Sequence, residues 1–185
     1  MSVFNYGHLK RQIPLKGYLP GQITKAFGPR YIKSGFWDSA SNTVTEYGLF
    51  VEVNAGDDYA YEVLPFTSAT TAGECAVVVR DIAGAQTLTE GIPVGPKEHV
   101  PLSLFIGTAG QKGRIVAICG EQNTTFNVAG QVYVGTASTA NTTAGAVYTT
   151  NVNSECVTAT NWKYAGTKFA PTTSGAYVVE VEYVG

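Results

Sequence analysis

From Tyr47 onward apolar and polar residues alternate in short runs, with turn residues between them. Leu49, Val51 and Val53 fall on one side of an extended chain while Glu52 falls on the other. Asn54-Ala55-Gly56-Asp57-Asp58 then reverses the chain into a second run, Tyr59 to Leu64. Glu74 to Arg80 alternates again, with Cys75, Val77 and Val79 together, and Val100 to Ile106, Arg114 to Cys119, Thr125 to Val128 and Gln131 to Val134 follow. Ala176 to Val184 closes the series, with Val179, Val181 and Tyr183 on one face and Glu180 and Glu182 on the other. Side chains alternate with period two only on an extended backbone. The pattern therefore predicts an all-β body, an antiparallel β-sandwich or barrel, with a jelly-roll among its forms. No stretch carries the apolar period of an amphipathic helix.

Two stretches break the alternation. Gly135 to Thr150 is rich in Thr, Ala, Ser, Asn and Gly, and reads either as a mobile surface loop or as a pair of weak strands around Val147 and Tyr148. Gly107-Thr108-Ala109-Gly110-Gln111-Lys112-Gly113 has the glycines of a phosphate loop. It lacks the Gly-Lys-Ser/Thr ending and stands between two strands, so it reads as a hairpin loop.

Composition agrees with strands. Charged residues make up only 14% of the chain, while Gly, Thr, Ala, Val and Tyr are plentiful. A chain of 185 residues buries roughly 70% of its unfolded surface, enough for one sizeable core. No run approaches the ~18 apolar residues of a membrane span, and the start of the chain has no apolar signal core. The expectation is a protein made in a cytosol without secretion.

Charge changes the picture at the N-terminus. Lys10, Arg11, Lys16, Lys25, Arg30 and Lys33 all precede the first carboxylate, Asp38. Beyond residue 37 six basic residues meet fourteen acidic ones, a net of −8, so a basic segment is joined to an acidic body. Phe4, Tyr6, Leu9, Ile13, Tyr18, Phe27, Tyr31, Phe36 and Trp37 are threaded among the charges, which is unlike a solvated tail. Pro14, Pro20, Pro29 and several glycines rule out a long helix there. The division predicted is an extended arm over 1–37 and a β-rich body over 38–185. Such an arm lies along its own body or along a neighbouring subunit. Dispersed basic residues outside any RNA-binding motif argue against nucleic acid as the partner.

Candidate chemistry adds little. Three cysteines cannot all pair within one chain. Cys75 and Cys119 share strand faces with aliphatic residues and read as buried small hydrophobes, while Cys156 is left open. No Cys/His spacing suits zinc. His8 and His99 stand far apart in sequence, without a nucleophile motif beside either. Asp57-Asp58 reads as a solvated turn rather than a calcium loop, and the Asn123 and Asn141 sequons as chance. No enzyme, cofactor or metal is expected.

Leu19-Pro20-Gly21-Gln22-Ile23 followed by Gly28-Pro29-Arg30-Tyr31-Ile32-Lys33-Ser34 resembles the opening of tailed-bacteriophage head decoration proteins, the structural cement group. Tyr47-Gly48-Leu49-Phe50-Val51, Gly130-Gln131-Val132-Tyr133-Val134, Gly166-Thr167-Lys168-Phe169 and the closing strand through Val181 fall in that group's order. The resemblance implies a non-enzymatic virion protein, made in the host cytoplasm and placed on the capsid exterior. It would bridge neighbouring major capsid subunits, with the major capsid protein and other copies of itself as partners. Nucleic acid and membrane are not partners in this reading. Arg11, Lys16, Lys25, Arg30 and Lys33 are the expected polar contacts and Phe27, Tyr31, Phe36 and Trp37 the expected anchors, because aromatic residues and Arg dominate protein hot spots. The alternative is a β-rich tail or fibre module binding a host glycan or receptor through exposed Tyr59, Tyr61, Trp162 and Tyr164.

Overall fold

The computed structural model describes residues 20–25, 32–37, 46–54, 61–67, 75–79, 100–106, 113–121, 125–166 and 177–185. These hold eleven strands: β1 (Ile23–Lys25), β2 (Ile32–Trp37), β3 (Phe50–Asn54), β4 (Tyr61–Pro65), β5 (Cys75–Val78), β6 (Val100–Ile106), β7 (Gly113–Cys119), β8 (Gln131–Gly135), β9 (Val147–Tyr148), β10 (Cys156–Tyr164) and β11 (Tyr177–Tyr183). The all-β expectation holds.

The strands form two sheets. Strands β2, β4, β3, β5 and β6, in that order, make a closed barrel. The second sheet runs β1-β7-β11-β10-β8-β9 and curls back on itself where Cys119 of β7 meets Val147 of β9. Both stretches of the expected arm that lie among the described residues are strands of these sheets. Ile23 and Lys25 of β1 pair with Ile115 and Arg114 of β7, and β2 sits between β6 and β4 inside the barrel.

Strict alternation along β3, β5 and β6 serves two cores at once. Val51, Val53, Ala76, Val78 and Leu104 fill the barrel interior together with Tyr47 and Val63. Their chain neighbours Phe50, Cys75, Val77, Val79 and Phe105 point the other way, into a core shared with the second sheet. That sheet contributes Ile115, Ala117 and Cys119 of β7, Val132 and Val134 of β8, Ala159, Trp162 and Tyr164 of β10, and Val179, Val181 and Tyr183 of β11. The faces expected for β5, β7 and β11 are the ones observed.

Trp162 is the joint. Its ring lies 5.1 Å from Phe50 and 5.8 Å from Phe105 of the barrel, and 5.3 Å from Tyr183 of its own sheet. Each such aromatic pair is worth about 0.5–1.5 kcal/mol beyond the area it buries. Backbone contacts reinforce the joint at Gly48, whose N–H donates to Val78 O and whose carbonyl accepts from Ile118 N–H. A side chain there would need the left-handed backbone (φ 83°) and would place its Cβ 2.8 Å from Gly21 N, so only glycine fits.

Three expectations change. Strands β6 and β7 belong to different sheets and do not pair with each other, so no hairpin joins them; residues 107–112 themselves lie outside the described residues. Thr125 to Val128 is not a strand. Residues 127–130 make a tight turn in which Gly130 N–H donates to Asn127 O at 2.9 Å. The stretch after Gly135 holds one strand rather than a pair: a loop leads into β9, at the expected Val147 and Tyr148. Phe50 N–H donates to Gly145 O at 2.8 Å, which ties this loop to the barrel.

Candidate interaction surface

The outward face of β7, β11 and β10 carries the polar side chains that alternate with the core. Arg114 sits opposite Glu182, and Glu182 opposite Lys163. Arg114 Nε lies 3.0 Å from Glu182 Oε2 and its Nη1 3.5 Å from Glu180 Oε2. Arg114 and Glu182 are both half-buried. Glu180 goes further and is only 9% exposed. A carboxylate so placed needs partners, and it has the Arg114 guanidinium and the hydroxyl of Thr24, which donates to its Oε1. Through Thr24 the short strand β1 is fastened to the sheet by a side chain as well as by its ladder.

Side chains also fix the irregular places of this sheet. Between Ala159 and Lys163 the β8–β10 ladder slips, and a slip leaves backbone groups unpaired. The Gln131 amide covers the gap: its Nε2 donates to Ala159 O at 2.8 Å, and its Oε1 accepts from Lys163 Nζ at 2.8 Å. Glu155 holds the loop that follows β8, accepting from the hydroxyls of Thr139 (2.8 Å) and Thr142 (2.9 Å). Glu121 holds β9 by accepting from Thr149 N–H at 3.0 Å. Tyr148 Oη accepts from Thr143 N–H at 2.7 Å, and Tyr164 Oη donates to Tyr148 O at 2.5 Å.

Of the expected contact residues, Lys25 is exposed on β1 beside Arg114. Lys33, Phe36 and Trp37 occupy backbone positions in β2, opposite Leu104, Pro101 and Val100 of β6. Arg11, Lys16, Phe27, Arg30 and Tyr31 lie outside the described residues, as do His8, His99, Asp57 and Asp58. The glycan platform loses two of its members, because Trp162 and Tyr164 are buried in the shared core. Sequence reasoning missed Gln131, Glu121 and Glu155 as structural polar groups. Nothing in their local sequence signals a bulge or a loop that needs holding.

The three thiols are closed off. Cys75, Cys119 and Cys156 are free thiols and all buried. Burial pushes the Cys75 thiol up to about 12, against a smaller opposing pull from the neighbouring Trp162 indole, so it stays neutral and unreactive. The indole Nε1 itself has no hydrogen-bond partner of normal geometry. Burial likewise raises the Tyr148 and Tyr164 phenols, and the Thr143 N–H lowers Tyr148 in part. All three groups release their protons more readily when unfolded, so stability falls as pH rises from about 9 through 12. Urea midpoints measured at pH 8 and pH 10.5 will show that fall. Among the described residues no three His, Cys, Asp or Glu side chains gather to hold a metal ion. No described helix is long and apolar enough to cross a membrane.

Fold and surface together define a structural scaffold: two curled sheets sharing one core, with polar side chains spent on fixing loops. The profile of the family described as XM1 gp53 minor capsid protein matches residues 10–183. The chain belongs to that family and is a phage capsid-associated structural protein of the virion. No curated protein sequence matches it. Among solved structures, a chain from "The capsid of Myoviridae Phage XM1" is similar with a TM-score of 0.49 and 13% sequence identity, over 87% of this chain and 82% of that chain.

Proposed function

We propose that the protein binds the outer surface of an assembled phage head and bridges neighbouring major capsid subunits, stabilising the shell as a cement protein. Membership of the minor capsid protein family along nearly the whole chain is the observation that carries this reading. The fold supplies a physical basis. A rigid body with a shared core loses little conformational freedom on docking, and a standard interface of roughly 800 Å² per partner, repeated over a lattice, staples a shell. Bridging adds avidity only when one copy touches several subunits at once.

In this reading the basic N-terminal segment is the tether. It is fastened to the body at β1 and β2, which join one sheet each. Arg11, Lys16, Lys25, Arg30 and Lys33 meet acidic patches of the shell, and Phe27, Tyr31, Phe36 and Trp37 supply apolar contact. Rim charges of this kind set the rate and salt dependence of assembly more than the final affinity. Because β1 and β2 pair within the two sheets, only the part of the tether before them, residues 1–19, is tested by deletion.

The experiment is co-sedimentation of the purified full chain with undecorated heads, before and after expansion, at low and high salt. Saturable binding to heads at a stoichiometry fixed by the lattice supports the reading, and absence of binding at every salt concentration refutes it. A chain lacking residues 1–19 that binds as tightly as the full chain removes Arg11 and Lys16 from the contact and leaves it to residues from 20 onward.

A further inference from the structure

The two edges of β7 are covered in different ways. On one side β11 pairs with it continuously from Gly113 to Cys119. On the other side three pieces of chain, far apart in sequence, share the edge. Strand β1 pairs with Arg114 and Ile115. Val116 bonds the residues just before β1: its carbonyl accepts from Gly21 N–H at 2.8 Å and its N–H donates to Gln22 O at 3.0 Å. Ile118 N–H donates to Gly48 O at 2.9 Å, and Gly120 N–H donates to Val147 O at 3.1 Å. An open strand edge invites pairing with other chains. Here it is closed by pieces rather than by one strand.

The pieces touch one another. A Cβ on Gly48 would lie 2.8 Å from Gly21 N and 3.1 Å from Pro20 Cβ, so the residues leading into β1 sit directly on the Gly48 corner. From that corner Gly48 N–H donates to Val78 O of the barrel, and two residues further on Phe50 N–H donates to Gly145 O in the loop before β9. Strand β1 is three residues long, none of them fully buried, and its ladder slips between Ile23 and Lys25. Segments with few buried contacts are the ones that open locally. Its side-chain fastening is the Thr24 hydroxyl, which donates to Glu180, the carboxylate that also meets Arg114 of β7.

We infer that β1 is a latch on this edge of β7: while Thr24 holds it, the Gly48 corner and the β9 closure hold too, and release of β1 loosens both. Coupling of this kind is carried by contiguous contacts around an element with two arrangements, here β1 docked and undocked. The latch ties the basic N-terminal segment to the joint of the two sheets, so that a contact made by that segment reaches the body rather than ending in a free arm. Its use in a virion rests on the head-binding reading above, whereas the latch itself is a property of the chain alone.

The test is amide hydrogen exchange, read residue by residue by NMR, on the full chain as wild type, Thr24→Val and Thr24→Ser. Three amides of one edge report the three pieces: Val116 for β1, Ile118 for the Gly48 corner and Gly120 for β9. Thr24→Val is expected to speed exchange at least tenfold at all three while the β2–β6 ladder keeps its protection. Thr24→Ser retains the hydroxyl and is expected to stay close to wild type. Thr24→Ala removes the hydroxyl without adding a methyl group; it is expected to act as the valine does, which guards against a packing fault in that variant. Faster exchange at Val116 alone overturns the latch and leaves β1 a local fastening. Unchanged exchange at all three amides overturns it as well. Equal acceleration along the β2–β6 ladder means that the whole chain unfolds together, and that too overturns the latch. The chain is measured without heads, so failure here is separate from failure to bind them.

Discussion

In the barrel the closing strand β2 makes six antiparallel pairs with β6 and three parallel pairs with β4. In the second sheet the closing strand β9 is two residues long, makes two pairs with β8 and one with β7, and relies on side chains around it. A strand of full length closes a ring through its own backbone ladder. A two-residue strand cannot, so Glu121, the phenol of Tyr148 and the Glu155 threonine clasp hold the turns on either side. The difference teaches where each half is vulnerable: the barrel through its ladder, the second sheet through single side chains.

The largest expected effect lies at the place the two halves share. Trp162→Ala removes the ring that touches Phe50, Phe105 and Tyr183, and loss of a buried Trp costs about 3–5 kcal/mol. Denaturant unfolding is expected to show the barrel and the second sheet weakening together. A loss confined to one half would mean that the two cores are energetically separate. Next comes Gly145→Ala, which places a Cβ 2.3 Å from Phe50 O on a backbone with φ 80°. A cost of about 2–4 kcal/mol is expected from clash and strain combined. Hydrogen exchange is expected to show loss of protection around β9 while the β2–β6 ladder keeps its own.

Gln131→Ala uncovers the bulge carbonyl of Ala159 and frees Lys163. Leaving one such group without its partner costs about 1–3 kcal/mol, read as a lower urea midpoint at unchanged slope. The smallest effect is a gain. Val152–Ser154 forms a turn with Asn153 at φ 49° and Ser154 at φ 62°, closed by Glu155 N–H on Val152 O at 2.8 Å. Both central residues are left-handed, as in a type I′ turn, whose second central position favours glycine. Ser154→Gly is expected to stabilise the protein by about 0.5–1 kcal/mol, a rise of about 1–4 °C in melting temperature.

Strand β10 shows why part of the fold was illegible. It is the longest strand described, yet its inward residues Ala159 and Trp162 are three apart. The bulge between them breaks the period of two, and no strand is expected there from the pattern alone. Strands β1 and β2 hide for another reason. Proline, glycine and basic residues crowd that segment, and its strands are made by partners far along the chain, Arg114 to Ile115 for one and Val100 to Phe105 for the other. The candidate surface was legible only as a charge asymmetry. The exposed valine at 128 sits in a stretch that alternation assigns to a strand.

The sequence by itself determined the all-β class, the core faces of β5, β7 and β11, and the burial of Cys75 and Cys119. Each of these follows from side-chain periodicity and the removal of apolar surface from water, which are local properties of the chain. Only the tertiary structure decided that β6 leads into a different sheet, that the N-terminal strands belong to the body, and that Gln131 covers a bulge. Those outcomes depend on which distant backbone groups pair, and every backbone offers the same donors and acceptors, so side-chain packing between segments far apart in sequence has to select the partner.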